Sequence, residues 1–394
     1  MNAAVLAPSV QLFIQKHSHV PPAEVALAKS PFSEVHSREL AQQIQGRNRI
    51  QKKLPLWYNT PLIYYPPLLA LEQCSSQQAA QHKADLIPKH NRSIDLTGGF
   101  GVDTYFIAKQ GEYTLHCERQ ETLACIAAHN LKTLGANHIG YCQGDGLYAL
   151  QQADKNYYDF AFIDPSRRKE GQKVFTLESV EPNIIQAQDM INCHVGQWMM
   201  KAAPLLDIQG ALRSLKYVRW VEVVSIGNEV KELLFFMQRD WMKPAQIRAT
   251  RLSNGIPDTF SFYWEEETQA VPSYALPGTY LYEPDVALMK AGCFNLVSQR
   301  LALQKLHPNT HLYTGNIPQI NFPGKTFEVL ESRTYGQFKK HPMVDAASIV
   351  TRNFPIKAEQ LRRNFQLKEH SEQYLFFFKD YKEGLSVVFA KRLP

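Results

Sequence analysis

Cysteine is sparse in this chain and never arranged as a ligand set. Of 394 residues six are Cys (Cys74, Cys117, Cys125, Cys142, Cys193 and Cys293), and no two form a C-x-x-C pair. That density excludes a disulfide framework and points to free, buried thiols. The 13 histidines include one H-x-x-x-H spacing, His307 and His311 in "HPNTH", but no H-x-x-E-H group, and no metal site is expected. A charged-then-apolar leader is missing, as is any apolar run of bilayer length, and the expected location is the cytoplasm. Internal repeats and low-complexity tracts are also missing. What remains is an ordinary soluble composition, 44% hydrophobic, 20% charged and 11% aromatic, in a chain long enough for two or three domains.

Net charge is absent from most of the chain as well. Residues 1–331 hold 31 Lys and Arg against 31 Asp and Glu, whereas residues 332–394 hold 12 against 6. The whole surplus of +6 lies in the last sixth of the sequence. Such a segment suits a polyanionic partner, and equally a solvated basic surface.

Four blocks follow from the pattern of residues. Residues 1–90 read as mainly helical and close with a helix running to about Ile87, capped by Ser75 or Ser76. Residues 91–270 alternate strand and helix. "RSIDLTGG", "YTLHCE", "HIGYCQGD", "DFAFIDP" and "GQWMMKA" are short apolar strands. "ETLACIAAHNLKTLG" carries Leu123, Ile126, Ala127, Leu131 and Leu134 at helical spacing, with Gly135 as its stop. This alternation implies a parallel sheet wound on both faces. "VRWVEVVSIG" and "EVKELLFFMQ" are joined too tightly for a crossover helix, so the last pair is expected to be antiparallel. Pro and Gly in "VPSYALPGTYLYEP" mark a boundary near residue 270. A small connecting α/β domain over 271–331, with the helical piece "PDVALMKAGCFNLVSQRLALQKL", then precedes a basic domain over 332–394.

The chemistry gathers at strand ends. In "SIDLTGGFGVDT" a strand closes on Asp95, a turn with Thr97, Gly98, Gly99 and Gly101 follows, and a helix opens near Asp103. Glycines there permit positive φ and let a ligand approach the backbone, although tight packing alone would also select them. The second strand ends at Glu118, 23 residues after Asp95, where a doubly wound sheet presents an acid to ribose hydroxyls. The third ends at Asp145. The fourth, in "YYDFAFIDPSRRKEG", ends at Asp164-Pro165 and runs into Arg167 and Arg168. Four acids closing four successive strands are hard to assign to packing, because ligands of open α/β sheets bind outside the strands' carboxyl ends. Two ligands compete. A dinucleotide fingerprint G-x-G-x-x-G fails at Thr104, and a pyrophosphate gains nothing from carboxylates. S-adenosylmethionine offers a sulfonium, an ammonium, a ribose diol and an adenine amine, and carboxylates suit all four.

On these residues, the segment 92–240 resembles a class I S-adenosylmethionine-dependent methyltransferase. The resemblance implies a Rossmann-like α/β sheet, parallel with one reversed strand, between a helical N-terminal region and a small α+β C-terminal domain. Asp95 to Gly101 match the first motif, with Asp95, Thr97, Gly98, Gly99 and Gly101 as cofactor-binding residues. Glu118 matches the acid that holds the ribose, Asp145 the acid that pairs with the adenine amine, and Asp164-Pro165 the catalytic fourth motif. More narrowly, "LEQCSSQQAAQHKADLI", "DLTGGFGVDT", "DPSRR" and "RNFPIKAEQLRRNFQL" together resemble bacterial class I methyltransferases that end in a THUMP-like domain. THUMP domains bind RNA, so the resemblance implies an RNA methyltransferase, with tRNA ahead of rRNA as substrate. The alternatives are a methyltransferase of a small molecule or protein, and a non-catalytic RNA-binding protein on the same fold.

Individual roles follow as expectations. Asp164 faces the methyl group and accepts a hydrogen bond from the acceptor, Pro165 fixes the turn, and Arg167 and Arg168 grip a phosphate. In the family's [DN]-P-P-[YFW] pattern the second proline and the aromatic are replaced here by Ser166 and Arg167, which leaves no ring to stack a flipped base. In-line methyl transfer needs no metal and no covalent intermediate. The helix before the first motif reads first as an ordinary capped helix, and second as closing the methionine end through Ser75, Ser76 or Lys83. In the tail, Tyr335, Phe338, Phe354 and Phe365 interleave with Arg and Lys as rings available to bases, with Phe354 and Phe365 read better as core.

Overall fold

The computed structural model describes residues 1–167 and 176–393, Arg167 by its backbone alone. Two compact units emerge, Met1–Trp220 with Leu233–Lys243, and Val221–Glu232 with Pro244–Pro394.

The first unit opens with helices, as expected. Pro8–Lys16, Pro22–Leu27 and Pro55–Asn59 each begin on a proline, whose fixed φ suits a first helical turn that needs no N–H there. Their apolar faces, with those of Ser37–Ile50 and Leu68–Gln73, bury Leu40, Ile44, Ile50, Leu54 and Trp57 against Phe100, Val102 and Phe106. The helices are therefore one side of the sheet's own core.

The sheet strands are β1 (His90–Asp95), β2 (Gly111–Glu118), β3 (Ile139–Gln143) and β4 (Phe160–Ile163). A two-residue strand β5 (Ser166–Arg167) pairs antiparallel with β6 (Val180–Glu181). Next come β7 (Gln197–Ala202), β8 (Val218–Ile226) and β9 (Glu229–Gln238), giving the order β3-β2-β1-β4-β7-β9-β8. Strands β1 to β4 and β7 run parallel, and β9 runs antiparallel to β7. All four residues of β4 are buried, as befits a parallel strand covered on both faces. The expected mostly parallel sheet is present, with β9 reversed against β7.

In the second unit, β10 (Gln246–Ser253) and β11 (Ile256–Tyr263) form an antiparallel hairpin beyond β8. The sequence reading lacks it. Its outer strand β11 is largely exposed, so apolar alternation is lost there. A seven-stranded sheet follows, made of β12 (Tyr280–Pro284), β13 (Gln304–Lys305), β14 (Tyr313–Gly315), β15 (Gly324–Thr334), β16 (Ser348–Arg352), β17 (Gln373–Lys379) and β18 (Leu385–Arg392). Its order is β13-β14-β12-β15-β18-β17-β16. The helical piece expected after residue 284 is two helices, Val286–Ala291 and Asn295–Arg300, because Gly292 ends the first in the left-handed region (φ 78°). Helices Tyr335–Lys340 and Ala358–Asn364 cover one sheet face through Phe338, Leu361, Leu375, Phe377 and Val387. Alternate residues of the same strands, Phe376, Phe378 and Val388, pack with Phe327 in a separate cluster.

All six cysteines are free, but not all are buried. Cys117 and Cys293 are enclosed, whereas Cys125 and Cys193 are exposed on the helices Glu121–Thr133 and Ile184–His194.

Candidate functional site

The turn after β1 is organised from beneath. Asp95 aligns with His116 of β2 and is only 1% exposed. Its Oδ1 accepts the Thr97 N–H (3.1 Å), and its Oδ2 accepts the Thr104 hydroxyl (2.6 Å). Thr104 Oγ1 also lies 2.8 Å from His116 Nδ1. The hydroxyl has one hydrogen, so with Asp95 ionised His116 Nδ1 is the donor in this chain. That leaves His116 Nε2 bare, and it is buried without a hydrogen-bond partner among the described residues. Burial pushes the Asp95 carboxyl up to about 7, against the Thr104 and Thr97 bonds, and pushes His116 down to about 4. Asp95 thus holds the turn from inside. Gly98 donates to Cys117 O (2.7 Å) directly over the His116 ring, and Gly101 starts the helix Val102–Ala108 at φ 83°.

The acids of β2 and β3 brace neighbouring backbone. Glu118 Oε2 accepts the Gly99 N–H (3.0 Å) and Oε1 the Gln120 N–H (2.7 Å). Asp145 caps the helix Gly146–Gln152 by accepting from the Leu147 and Tyr148 N–H groups (2.8 and 3.1 Å). Its other oxygen pairs with Arg119, whose second nitrogen donates to Glu181 (2.8 Å). Burial alone would raise the Asp145 carboxyl, but the Tyr148 N–H and Arg119 hold it below the usual range. A cavity of about 450 Å³ opens here, lined by Arg119, Asp145, Leu147, Tyr148, Glu181 and Met190 among others. The sequence reading missed Arg119 and Glu181. A strand-two acid followed by arginine carries no motif.

Asp164 is tied to the same turn. Its N–H donates to Thr97 Oγ1 (2.6 Å), and its Oδ2 accepts from Lys201 Nζ at the end of β7 (2.5 Å). Lys201 too was missed, being one lysine in an apolar strand. Pro165 follows Asp164 into β5, where the Arg167 backbone pairs with Val180. Arg168 and the Arg167 side chain lie outside the described residues.

The helix Gln77–Leu86 is capped by Ser76, which accepts from Ala79 N–H (3.3 Å). Ser75 has a different role and donates to Asp103 Oδ2 (2.8 Å). Lys83, with no exposed surface, donates to Ser75 Oγ (3.1 Å) and pairs with Asp103 Oδ1 (3.2 Å). Burial would raise the Asp103 carboxyl, yet the Lys83 and Lys201 charges keep it below the ordinary range. Ser75 and Lys83 lock this helix to the one after the glycine turn.

In the basic C-terminal segment, Lys339, Lys340, Lys357, Arg363 and Lys368 are exposed. The rings beside them are structural. Phe338 is wholly buried, its ring 4.9 Å from that of Phe365, and Tyr335 meets Phe354 at 5.1 Å. Phe338 is therefore withdrawn from any base, because the two short helices need these rings to cover the sheet. Among the described residues no group of His, Cys, Asp and Glu is gathered to hold a metal, and no helix is long and apolar enough to cross a membrane.

Residues 280–323 match a ferredoxin-like domain family, and residues 324–391 a THUMP domain-like family. The solved structure of a presumed methyltransferase from Porphyromonas gingivalis W83 is similar at 28% identity and a TM-score of 0.89, over 99% of this chain and 98% of that one. M. capricolum TrmK, solved with S-adenosyl-homocysteine, matches 41% of this chain and 68% of its own at 10% identity and a TM-score of 0.33. An rRNA methylase from Streptococcus thermophilus matches 41% of this chain and 94% of its own at 14% identity and a TM-score of 0.31. No curated protein matches the sequence.

Proposed function

We propose that this class I methyltransferase fold, with its THUMP-like C-terminal region, is an S-adenosylmethionine-dependent methyltransferase of structured RNA, tRNA ahead of rRNA. The observation that carries the reading is the bond from Asp164 N–H to Thr97 Oγ1. It fastens the acid at the end of β4 to the glycine turn after β1, so a cofactor edge and an acceptor site form one rigid element. The likeness to the P. gingivalis protein over almost the whole chain supports the same class.

The residues present suit that cofactor. Each Glu118 oxygen accepts one backbone N–H and keeps a second lone pair for a ribose hydroxyl. The 450 Å³ cavity beside Asp145 is of the size that holds a small ligand. Asp145 reaches an adenine amine by exchanging its bond to Arg119. When bound, the cofactor supplies an electrophilic methyl carbon on a sulfonium. Asp95 acts through the turn it braces, Asp164 orients the acceptor, and Pro165 fixes the direction of the chain. Holding two reactants in line supplies much of the rate of such a displacement. Arg167 and Arg168 remain assigned to a substrate phosphate, and the exposed lysines and arginines of the C-terminal segment to further phosphates.

Mass spectrometry of nucleosides from cells with and without the protein tests this reading. One methylated nucleoside is expected to disappear. An unchanged RNA profile, with cofactor still bound by the purified chain, would move the function to a small-molecule or protein acceptor.

A further inference from the structure

One guanidinium joins the acid beyond β3 to the strand beyond Asp164. Arg119, next after Glu118, pairs through Nη2 with Asp145 Oδ2 and donates from Nη1 to Glu181 Oε1 at 2.8 Å. Glu181 belongs to β6, where it aligns with Ser166 of β5, two residues after Asp164. The Ser166 hydroxyl donates to Glu181 O (3.4 Å), so Arg119 is tied to the rim where the acceptor is expected. Arg119, Asp145 and Glu181 line one cavity of about 450 Å³. Asp145 Oδ1 is fully used by the Leu147 and Tyr148 N–H groups, which leaves Oδ2 for any further donor. An adenine amine entering the cavity therefore seeks the oxygen that Arg119 holds, from the space that Arg119 lines. Glu181 first and Asp145 second hold the guanidinium above its ordinary range, so Arg119 stays charged whichever acid it keeps. Its side chain is 49% exposed, and a guanidinium fork released from one carboxylate matches a phosphate.

We infer that Arg119 is a substrate-binding residue made available by the cofactor. Adenine takes Asp145, Glu181 retains the displaced guanidinium beside β5, and the freed N–H groups receive an RNA phosphate. The inference rests on the methyltransferase reading above. Without cofactor, Arg119 stays on its own acids and RNA is held less tightly. Cofactor and RNA thus bind cooperatively, and by linkage each raises the affinity of the other by the same factor.

The test uses the full-length chain, total tRNA and S-adenosyl-homocysteine. This form of the cofactor has no methyl group to transfer, and no sulfonium charge that could itself attract RNA. Filter retention at fixed salt gives the tRNA affinity with and without S-adenosyl-homocysteine. Calorimetric titration gives the S-adenosyl-homocysteine affinity with and without saturating tRNA. Both ratios are expected to be about 5–10-fold. Arg119→Met is expected to bring both to within about twofold of one. Arg119→Gln, also uncharged, serves if Arg119→Met does not fold. Equal tRNA affinities with and without S-adenosyl-homocysteine would overturn the inference alone, as would undiminished ratios in the Arg119 variant. No retention of tRNA in either state would overturn the RNA reading and the inference together.

Discussion

The imidazole of His116 lies directly beneath Gly98, so close that a Cβ on this glycine would meet the ring at 2.1 Å. His116 is 1% exposed and tied to Thr104, so it has little room to yield. Gly98→Ala is expected to destabilise the fold by about 1–3 kcal/mol, the scale of overpacking, and to weaken S-adenosylmethionine binding. Denaturant unfolding and cofactor titration read the two effects. Adding His116→Ala should restore part of the loss, a coupling that a double-mutant cycle measures directly.

Asp95 and His116 titrate in opposite senses. With its carboxyl raised from 3.8 to about 7, folded Asp95 keeps a proton that the unfolded chain has lost, so its contribution to stability falls as pH rises through that window. His116, lowered from 6.5 to about 4, stays neutral when folded while the unfolded chain takes up a proton. Its contribution falls as pH drops from 6.5 toward 4. The two slopes oppose each other in the native protein. Relative to it, Asp95→Asn should gain stability as pH rises through this range, and His116→Gln should lose it. Denaturation midpoints across a pH series check both signs. A flat difference for Asp95→Asn would mean that the buried carboxyl titrates as it does in the unfolded chain.

Lys83→Met should be severely destabilising, by about 3–5 kcal/mol, because it leaves the buried Asp103 without its nearest cation. Removing both charges, as in Lys83→Met with Asp103→Leu, is expected to recover much of that loss. Urea unfolding of the single and double variants distinguishes an ion pair from mere packing. Equal losses in the two would exclude the pair as the cause.

For RNA, substitution is a cleaner test than truncation, since β15 runs through residue 332 and a cut there would sever a sheet strand. Replacing Lys339, Lys340, Lys357 and Arg363 by Gln should weaken retention of total tRNA on a filter. The slope of log affinity against log salt should also flatten by about one for each phosphate that is no longer neutralised. An unchanged slope would exclude this surface.

Much of the sheet was legible because fully buried strands are short apolar runs, as in Phe160–Ile163, and because an acid after such a run stands out. The site's supporting residues were not. Nothing in the sequence distinguishes Lys201 in "QWMMKA" from a lysine at a strand's exposed end, and helical spacing cannot reveal that Lys83 is buried against Asp103. Asp95 was read as facing a ligand, whereas both its oxygens bond within the turn, because sequence gives the strand end but not the direction of the carboxylate. One overlooked signal was present. Asn254-Gly255, at φ 51° and 81°, is the residue pair that tight hairpins select, and it joins β10 to β11.

The strand order also imposes a schedule. β1 is made early yet lies mid-sheet, and β9, which flanks β7, ends only at Gln238. At a synthesis rate of roughly 5–20 residues per second, about 7–30 s pass between the emergence of Asp95 and that of Gln238. The N-terminal helices are already available to cover their face of the nascent sheet. The edge of β7, with Trp198, Met199 and Met200, has no such cover until β9 arrives. A growing chain therefore carries an apolar, unpaired strand edge on the ribosome for a couple of seconds or more, and that interval is where misassembly and chaperone capture would compete with folding.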